Sequence, residues 1–273
     1  MSAHRTPLLM GVVNVTPDSF SDGGAFLDPG RAIAHGLKLV EDGAAILDIG
    51  GESTRPGADE IPVETELSRI LPVIKGLSAQ SAAAISIDTR KPEVARAAVD
   101  AGASVWNDVS ALTFSPDSVS AAAALDCRVV LMHAQGDPKT MQTAPHYKDV
   151  IEEVFAFLSG RIDVCENRGV SRSRLIVDPG VGFGKTVDHN LVLIAGLARF
   201  SALGVPVLLG ASRKRFIAAL DRQGPAGERL GGSIAAAIAG AAQGAAILRV
   251  HDVAATRQAL AVAAAIEKAS TQR

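Results

Sequence analysis

LIVDPGVGFGKT, Leu175 to Thr186, holds the choice between two folds. Read from its end, Gly184-Lys185-Thr186 looks like the close of a phosphate-binding loop. Read from its start, it is a short apolar strand that stops at a carboxylate, Asp178, and runs into a glycine-rich turn. Spacing decides between them. A loop of the form G-x-x-x-x-G-K-[ST] needs its first glycine at position 179, where this chain has Pro179. The dinucleotide pattern G-x-G-x-x-G fails as well, because Gly180, Gly182 and Gly184 follow one another as G-x-G-x-G. What remains is a strand that aims Asp178 at a site beyond its end.

Seven other runs have the same form: LLMGVVNV, AILDI, ISID, SVWND, VVLMH, PVLLG and AAILRV. They begin near Leu8, Ala45, Ile85, Ser104, Val129, Pro206 and Ala245. Each is short and apolar with little alternation, as a parallel strand buried on both faces must be. Helical segments fill the gaps. Asp28-Pro29 is a start signal, an acceptor followed by the one residue that fits the first helical position, and Ser115-Pro116 repeats it. Ile151, Val154, Phe155, Leu158, Ile162 and Cys165 keep one face at helical spacing, and Asp252 is placed to cap the last helix. Eight strand–helix units in 273 residues point to a single (β/α)8 TIM barrel spanning residues 1–273, with an open doubly wound sheet as its rival.

Composition narrows the function classes. Hydrophobic residues are 48 % and charged residues 21 % of the chain, values of a globular protein with a large core. The net charge of −2, with no basic stripe, argues against a nucleic-acid partner. The first residues lack an apolar targeting core, and the longest apolar stretch, Ile234 to Leu248, is mostly Ala and Gly. A cytoplasmic protein with no membrane partner is expected. Cys127 and Cys165 show no pairing or metal spacing and read as small reduced hydrophobes.

The strand ends carry the chemistry. They offer Asn14, Asp48, Asp88, Asn107-Asp108, His133, Asp178, Ser212-Arg213-Lys214, and Arg249 with His251. In a barrel these ends meet at one face, where sites of this fold lie. Asp88, Asn107 and Asp178 are acceptors suited to the N–C–NH2 edge of an aminopyrimidine. Arg55, Lys214, Arg249 and His251 are cationic, so a heterocycle is expected centrally with phosphate to one side. His133 and Glu52 read as structural, and Arg213 and Arg215 need not point inward.

GVVNVTPDSFSDGG (Gly11 to Gly24) and LDIGGESTRPGA (Leu47 to Ala58) resemble the two signatures of the dihydropteroate synthases. SIDTRKPEVA, NDVSAL, LMHAQGDPKTMQ, DPGVGFGKT, ASRK and RVHDV follow in that family's order, from about Met10 to Val253. The resemblance implies a barrel that joins 6-hydroxymethyl-7,8-dihydropterin diphosphate to p-aminobenzoate, with Mg2+ on the diphosphate. It implies Asp88, Asn107, Asp178 and Lys214 as pterin-binding residues, with Met132 and Phe183 against the ring. It places Asn14, Thr54, Arg55, Arg249 and His251 at the diphosphate, Asn14 nearest Mg2+. Phe20, Thr54, Pro56 and Ser212 would form the p-aminobenzoate pocket. Asp88, Asp178, Lys214, Arg55, Arg249 and His251 would carry catalysis, and a homodimer is implied. The long connections Thr16 to Pro29 and Gly50 to Pro62 are expected to order over the bound diphosphate. Two rivals stand beside this reading: a pterin-dependent methyltransferase, which has no pyrophosphate to release, and a paralogue that binds pterin without turnover.

Overall fold

The computed structural model describes residues 6–16, 28–53, 58–136 and 140–270. Eight parallel strands lie at β1 (Leu8–Asn14), β2 (Ile46–Gly50), β3 (Ala84–Asp88), β4 (Val105–Asp108), β5 (Arg128–Met132), β6 (Leu175–Asp178), β7 (Leu208–Leu209) and β8 (Ile247–Val250). Each start falls within two residues of the sequence expectation. The pairing order is β6-β5-β4-β3-β2-β1-β8-β7, and a parallel bridge between Val177 and Val207 brings the two ends together. That closure excludes the open sheet. The seam is thin: one bridge joins β6 to the segment before β7, with the Val177 N–H donating to Pro206 O at 3.0 Å, and Pro206 has no N–H to give a ladder.

The helices among the described residues are α1 (Pro29–Asp42), α2 (Val63–Gln80), α3 (Pro92–Asp100), α4 (Ser118–Ala124), α5 (Val150–Asn167), α6 (Val187–Ala195), α7 (Arg215–Leu220), α8 (Leu230–Ala242) and α9 (Val253–Ser270). Asp28 caps α1 as expected, its Oδ1 accepting from the Gly30 N–H at 2.9 Å. Ser115-Pro116 does not start α4, which corrects the sequence expectation. Ser115 Oγ instead accepts from the Asp117 N–H at 3.2 Å, closing a turn, and the helix begins at Ser118. Asp252 stands just before α9, but its carboxylate receives the Arg213 side chain, with Nε to Oδ2 at 3.0 Å. On α5 the buried residues are Val150, Val154, Leu158, Ile162 and Cys165, the face that the periodicity implied.

Two apolar layers hold the molecule together. The larger lies between strands and helices and includes Leu47, Ile49, Ile87, Trp106, Leu131 and Phe200, all essentially inaccessible to water. Burying each such side chain stabilises the fold by about 1.5–3 kcal/mol. The smaller fills the barrel: Met10, Ile46, Val105, Val130, Ile176, Leu208 and Ile247, one residue from most strands. Because side chains alternate along a strand, the next inward position is two residues on. There the chemistry changes: Ile46 gives way to Asp48, Val105 to Asn107, Ile176 to Asp178 and Ile247 to Arg249. The barrel is thus dry below and polar above, and the change of layer builds the floor of the site.

Candidate active site

Asp48 is the centre of that floor and is completely buried. It accepts from Arg249 Nε at 2.6 Å and from Asn107 Nδ2 at 3.2 Å. Arg249 Nη2 reaches on to Asp88 Oδ2 at 2.8 Å. Burial works against the charge on Arg249, but Asp48 and Asp88 overcome it and hold its pKa above the ordinary value. Asp88 is in the opposite position. Burial raises its pKa from 3.8 to about 7, with Arg249 opposing and Asp48 adding to the rise. Its second oxygen, Oδ1, is buried without a hydrogen-bond partner among the described residues. A buried acceptor left open is costly unless a ligand supplies the donor.

Asp178, at the end of β6, accepts from the Gly180 N–H through Oδ1 at 2.7 Å. Burial raises its pKa, and Lys214 opposes the rise. Lys214 is half-buried, and the loss of water around it lowers its pKa to about 8 against the pull of Asp178. Its ammonium donates to the Val181 carbonyl and lies 4.6 Å from the centre of the Phe183 ring. Gly210 leaves the space between these groups: a Cβ there would lie 3.8 Å from both Asp178 Oδ2 and Arg249 Cδ. Gly50 does the same across the barrel, 3.7 Å from Asn14 Oδ1 and 3.8 Å from Asp88 Oδ2. Met132, buried, pairs in register with Asp178. The acceptors, Lys214 and Phe183 therefore do converge on one side of the mouth.

The expected division between acceptors and cations is less clean in space. Arg249, assigned by resemblance to the diphosphate, is also the link that holds two floor carboxylates. Ser212 and His251, assigned to different substrates, touch each other. Ser212 Oγ accepts from the His251 N–H at 3.3 Å and lies 3.0 Å from His251 Nδ1. With the hydroxyl donating to Nδ1, the ring proton sits on Nε2. Phe20, Thr54, Arg55 and Pro56 lie outside the described residues, as does most of the connection after β1.

Several residues turn out to be scaffolding. Asp108 points away from the barrel and accepts from the N–H groups of Ser110 and Leu112 at 2.7 and 2.9 Å. Arg213 is bound to Asp252. Glu52 anchors the long connection after β2, accepting from Ile61 N–H at 2.9 Å and from Lys91 Nζ at 3.0 Å. Lys91, also buried, reaches Glu66 at 2.9 Å. His133 is buried against Phe157, and burial, with Lys185 beside it, lowers its pKa to about 3. Thr186 caps α6, its Oγ1 accepting from the His189 N–H at 3.1 Å. Both cysteines are free and buried. Two residues of the site region, Asp48 and Lys185, stand in the quoted motifs without a role that the sequence alone assigns. Asp48 was visible there through its two-residue step from Ile46. Lys185, almost wholly buried, has its partner His133 52 residues away, which no local pattern announces.

A parallel barrel whose mouth sets buried carboxylates and an amide beside a lysine and a phenylalanine is a binder of flat, nitrogen-rich heterocycles. Comparison with known proteins names the class. A sequence model of the pterin binding enzymes matches residues 10–251. The dihydropteroate synthase of Escherichia coli K12 is 48 % identical over 256 residues, covering 94 % of this chain and 90 % of the relative. Dihydropteroate synthase from Xanthomonas albilineans, solved with 4-aminobenzoic acid, superposes with a TM-score of 0.90 at 54 % identity, covering 96 % of this chain and 93 % of that one. The same enzyme in complex with 7,8-dihydropteroate gives 0.86 at 50 % identity, covering 96 % and 94 %. The chain belongs to the pterin-binding enzyme family, within its dihydropteroate synthase branch.

Proposed function

We propose that this protein acts as a dihydropteroate synthase, a transferase with two small-molecule substrates. It joins 6-hydroxymethyl-7,8-dihydropterin diphosphate to p-aminobenzoate, releasing pyrophosphate and 7,8-dihydropteroate. The observation that carries the reading is the open Asp88 Oδ1 in a floor where Arg249 already holds the other oxygen. An apo protein keeps such an oxygen at a cost, and the N–H edge of a pterin is the donor it lacks. Asp178 and Asn107 extend the edge, Lys214 donates to the ring, and Phe183 and Met132 pack on its faces.

Bond breaking is at the pterin methylene. The carbon–oxygen bond cleaves and the leaving pyrophosphate takes the electron pair. The arylamine nitrogen then attacks the methylene and loses a proton. Asp88 and Asp178 favour positive charge on the pterin, so cleavage ahead of attack, an SN1-like course, is preferred. Arg249, His251 through Nε2, and Arg55 neutralise the charge that grows on the departing oxygen. An SN1-like course makes the rate nearly independent of nucleophilicity across substituted anilines. A steep dependence with chemistry limiting would rule it out.

The metal belongs to the proposal. Among the described residues no group of three His, Cys, Asp or Glu could hold an ion. The chain does offer the Asn14 amide oxygen at the end of β1, facing the same gap as Asp88. A single amide oxygen suits Mg2+, which takes most of its remaining ligands from water and substrate phosphates. When bound, the ion would supply charge neutralisation to the leaving group.

A homodimer is also proposed. Leu191 on α6 and Leu220 on α7, 37 % and 56 % exposed, line one groove with Phe216 and Ile217, an apolar surface of the kind a second copy covers. No helix among the described residues is long and apolar enough to cross a membrane. The deciding experiment combines purified protein, Mg2+ and both substrates. Dihydropteroate should appear. Tight pterin binding without product would instead identify a non-catalytic pterin binder.

A further inference from the structure

The turn after β6 presents four successive carbonyls, and each is taken by a side-chain donor. Lys214 Nζ donates to Val181 O, Gln142 Nε2 to Gly182 O at 2.7 Å, Lys185 Nζ to Phe183 O at 3.0 Å and Tyr147 Oη to Gly184 O at 2.9 Å. Gln142 and Tyr147 come from the segment between β5 and α5, 40 and 37 residues away in sequence. Lys185 ties the same two segments, since its Nζ also lies 2.9 Å from His133 Nδ1. The turn's amides are held as well: Gly182 N–H donates to Asn190 Oδ1 at 2.7 Å and Phe183 N–H to Gly180 O at 3.1 Å. A turn that served only to connect β6 to α6 would leave most of these carbonyls to water.

We propose that Lys185 is a positioning residue for the pterin pocket, acting with Gln142 and Tyr147 as a clamp on residues 180–184. The inference rests on the pterin reading above and deepens it. Gly180, Gly182 and Gly184 all have left-handed φ values, between +63° and +85°, so the peptide planes between them could settle in other orientations. The orientation held by the clamp puts Phe183 against Lys214 and keeps Lys214 beside Asp178. Lys185 is the keystone because its single ammonium reaches both His133, just past the end of β5, and the Phe183 carbonyl in the middle of the turn. It does not touch substrate; it acts through Phe183 and Lys214.

The test separates head-group binding from diphosphate binding. Titration calorimetry with 6-hydroxymethylpterin reads the pocket the clamp shapes. Titration with pyrophosphate and Mg2+ reads the cationic end. Lys185→Met keeps the length and removes the hydrogen bonds to Phe183 O, His133 Nδ1 and His133 O; it should weaken the pterin at least about tenfold while pyrophosphate stays within about twofold. KM for the pterin diphosphate should rise, and KM for p-aminobenzoate should not. Gln142 is exposed, so Gln142→Met leaves the core intact and should weaken the pterin about threefold with the same selectivity. If Lys185→Met failed to fold, the glutamine variant would decide by that same ratio. Parallel loss of both ligands, or unchanged pterin affinity, overturns the clamp. Should the parent protein itself not bind the pterin, the functional reading falls, and the clamp is then read from hydrogen exchange. The Gly182 and Phe183 amides must exchange at least about tenfold faster in Lys185→Met, and unchanged exchange refutes it.

Discussion

Asp88→Asn should make the unliganded protein more stable and cripple it as a pterin binder. Asn has nearly the shape of a protonated aspartate, and its oxygen can still accept from Arg249 Nη2. Arg249 also keeps Asp48 at 2.6 Å, so it is not left as a lone buried cation. What disappears is the expense of holding Asp88 ionised. Burial moves its pKa from 3.8 to about 7, so the folded state binds a proton more readily than the unfolded chain. Stability from this group is therefore lost as pH rises from near 3.8 and levels off above about 7. The full shift corresponds to a cost on the order of 4 kcal/mol at 1.36 kcal/mol per pH unit, part of it already expressed at pH 5. The variant's advantage over the parent should thus be present at pH 5 and larger at pH 8, by about 2–3 kcal/mol. In a chain this long each kcal/mol is worth about 2–4 °C in Tm. Thermal unfolding of both apo proteins at the two pH values gives the comparison. Calorimetry with 6-hydroxymethylpterin should show affinity down by about a hundredfold, because the Asn amide turns a donor toward a donor. A variant less stable than the parent at pH 8, or an advantage that shrinks with pH, would refute the assignment of Asp88 as an open, strained acceptor.

Three further outcomes follow. Gly180→Ala should lower Tm by roughly 5–12 °C, since φ is +69° there and the added methyl would run into the His133 carbonyl; unchanged melting would show that the turn can relax. Lys91→Met removes the cation shared by Glu52 and Glu66 and should destabilise by about 3–5 kcal/mol at pH 8, measured by denaturant melts. The loss should be smaller at pH 5, where the stranded carboxylates can take up protons; burial already raises the pKa of Glu66. Chelation of Mg2+ should abolish dihydropteroate formation while leaving 6-hydroxymethylpterin affinity within about twofold, which calorimetry with and without chelator measures.

Much of this architecture can be read from the chain because parallel strands are apolar throughout. A polar residue ending one, such as Asp88 or Asp178, then stands out against Ile87 or Val177. The eight strand positions and the convergence of Asp88, Asn107, Asp178 and Lys214 follow from that contrast. Pairings across long sequence distances do not. Arg249 meets Asp48 and Asp88 from 201 and 161 residues away, so whether it serves phosphate or carboxylates is invisible locally. Lys185 and Thr186 were equally ambiguous in the motif that contains them. In the fold, one is driven into the core to hold carbonyls, and the other caps α6. Ser115-Pro116 misled because Ser115 satisfies a turn N–H as readily as a helix one.

The thin seam between β6 and β7 has a further consequence. Asp178 stands on one lip of it, and Ser212 and Lys214 stand just past the other, so a ligand spanning them is a rivet across the weakest joint of the cylinder. A ligand held by Asp178 on one side and Lys214 on the other would add to the single bridge at Val207, and by linkage its binding and the closure of the barrel would stabilise each other.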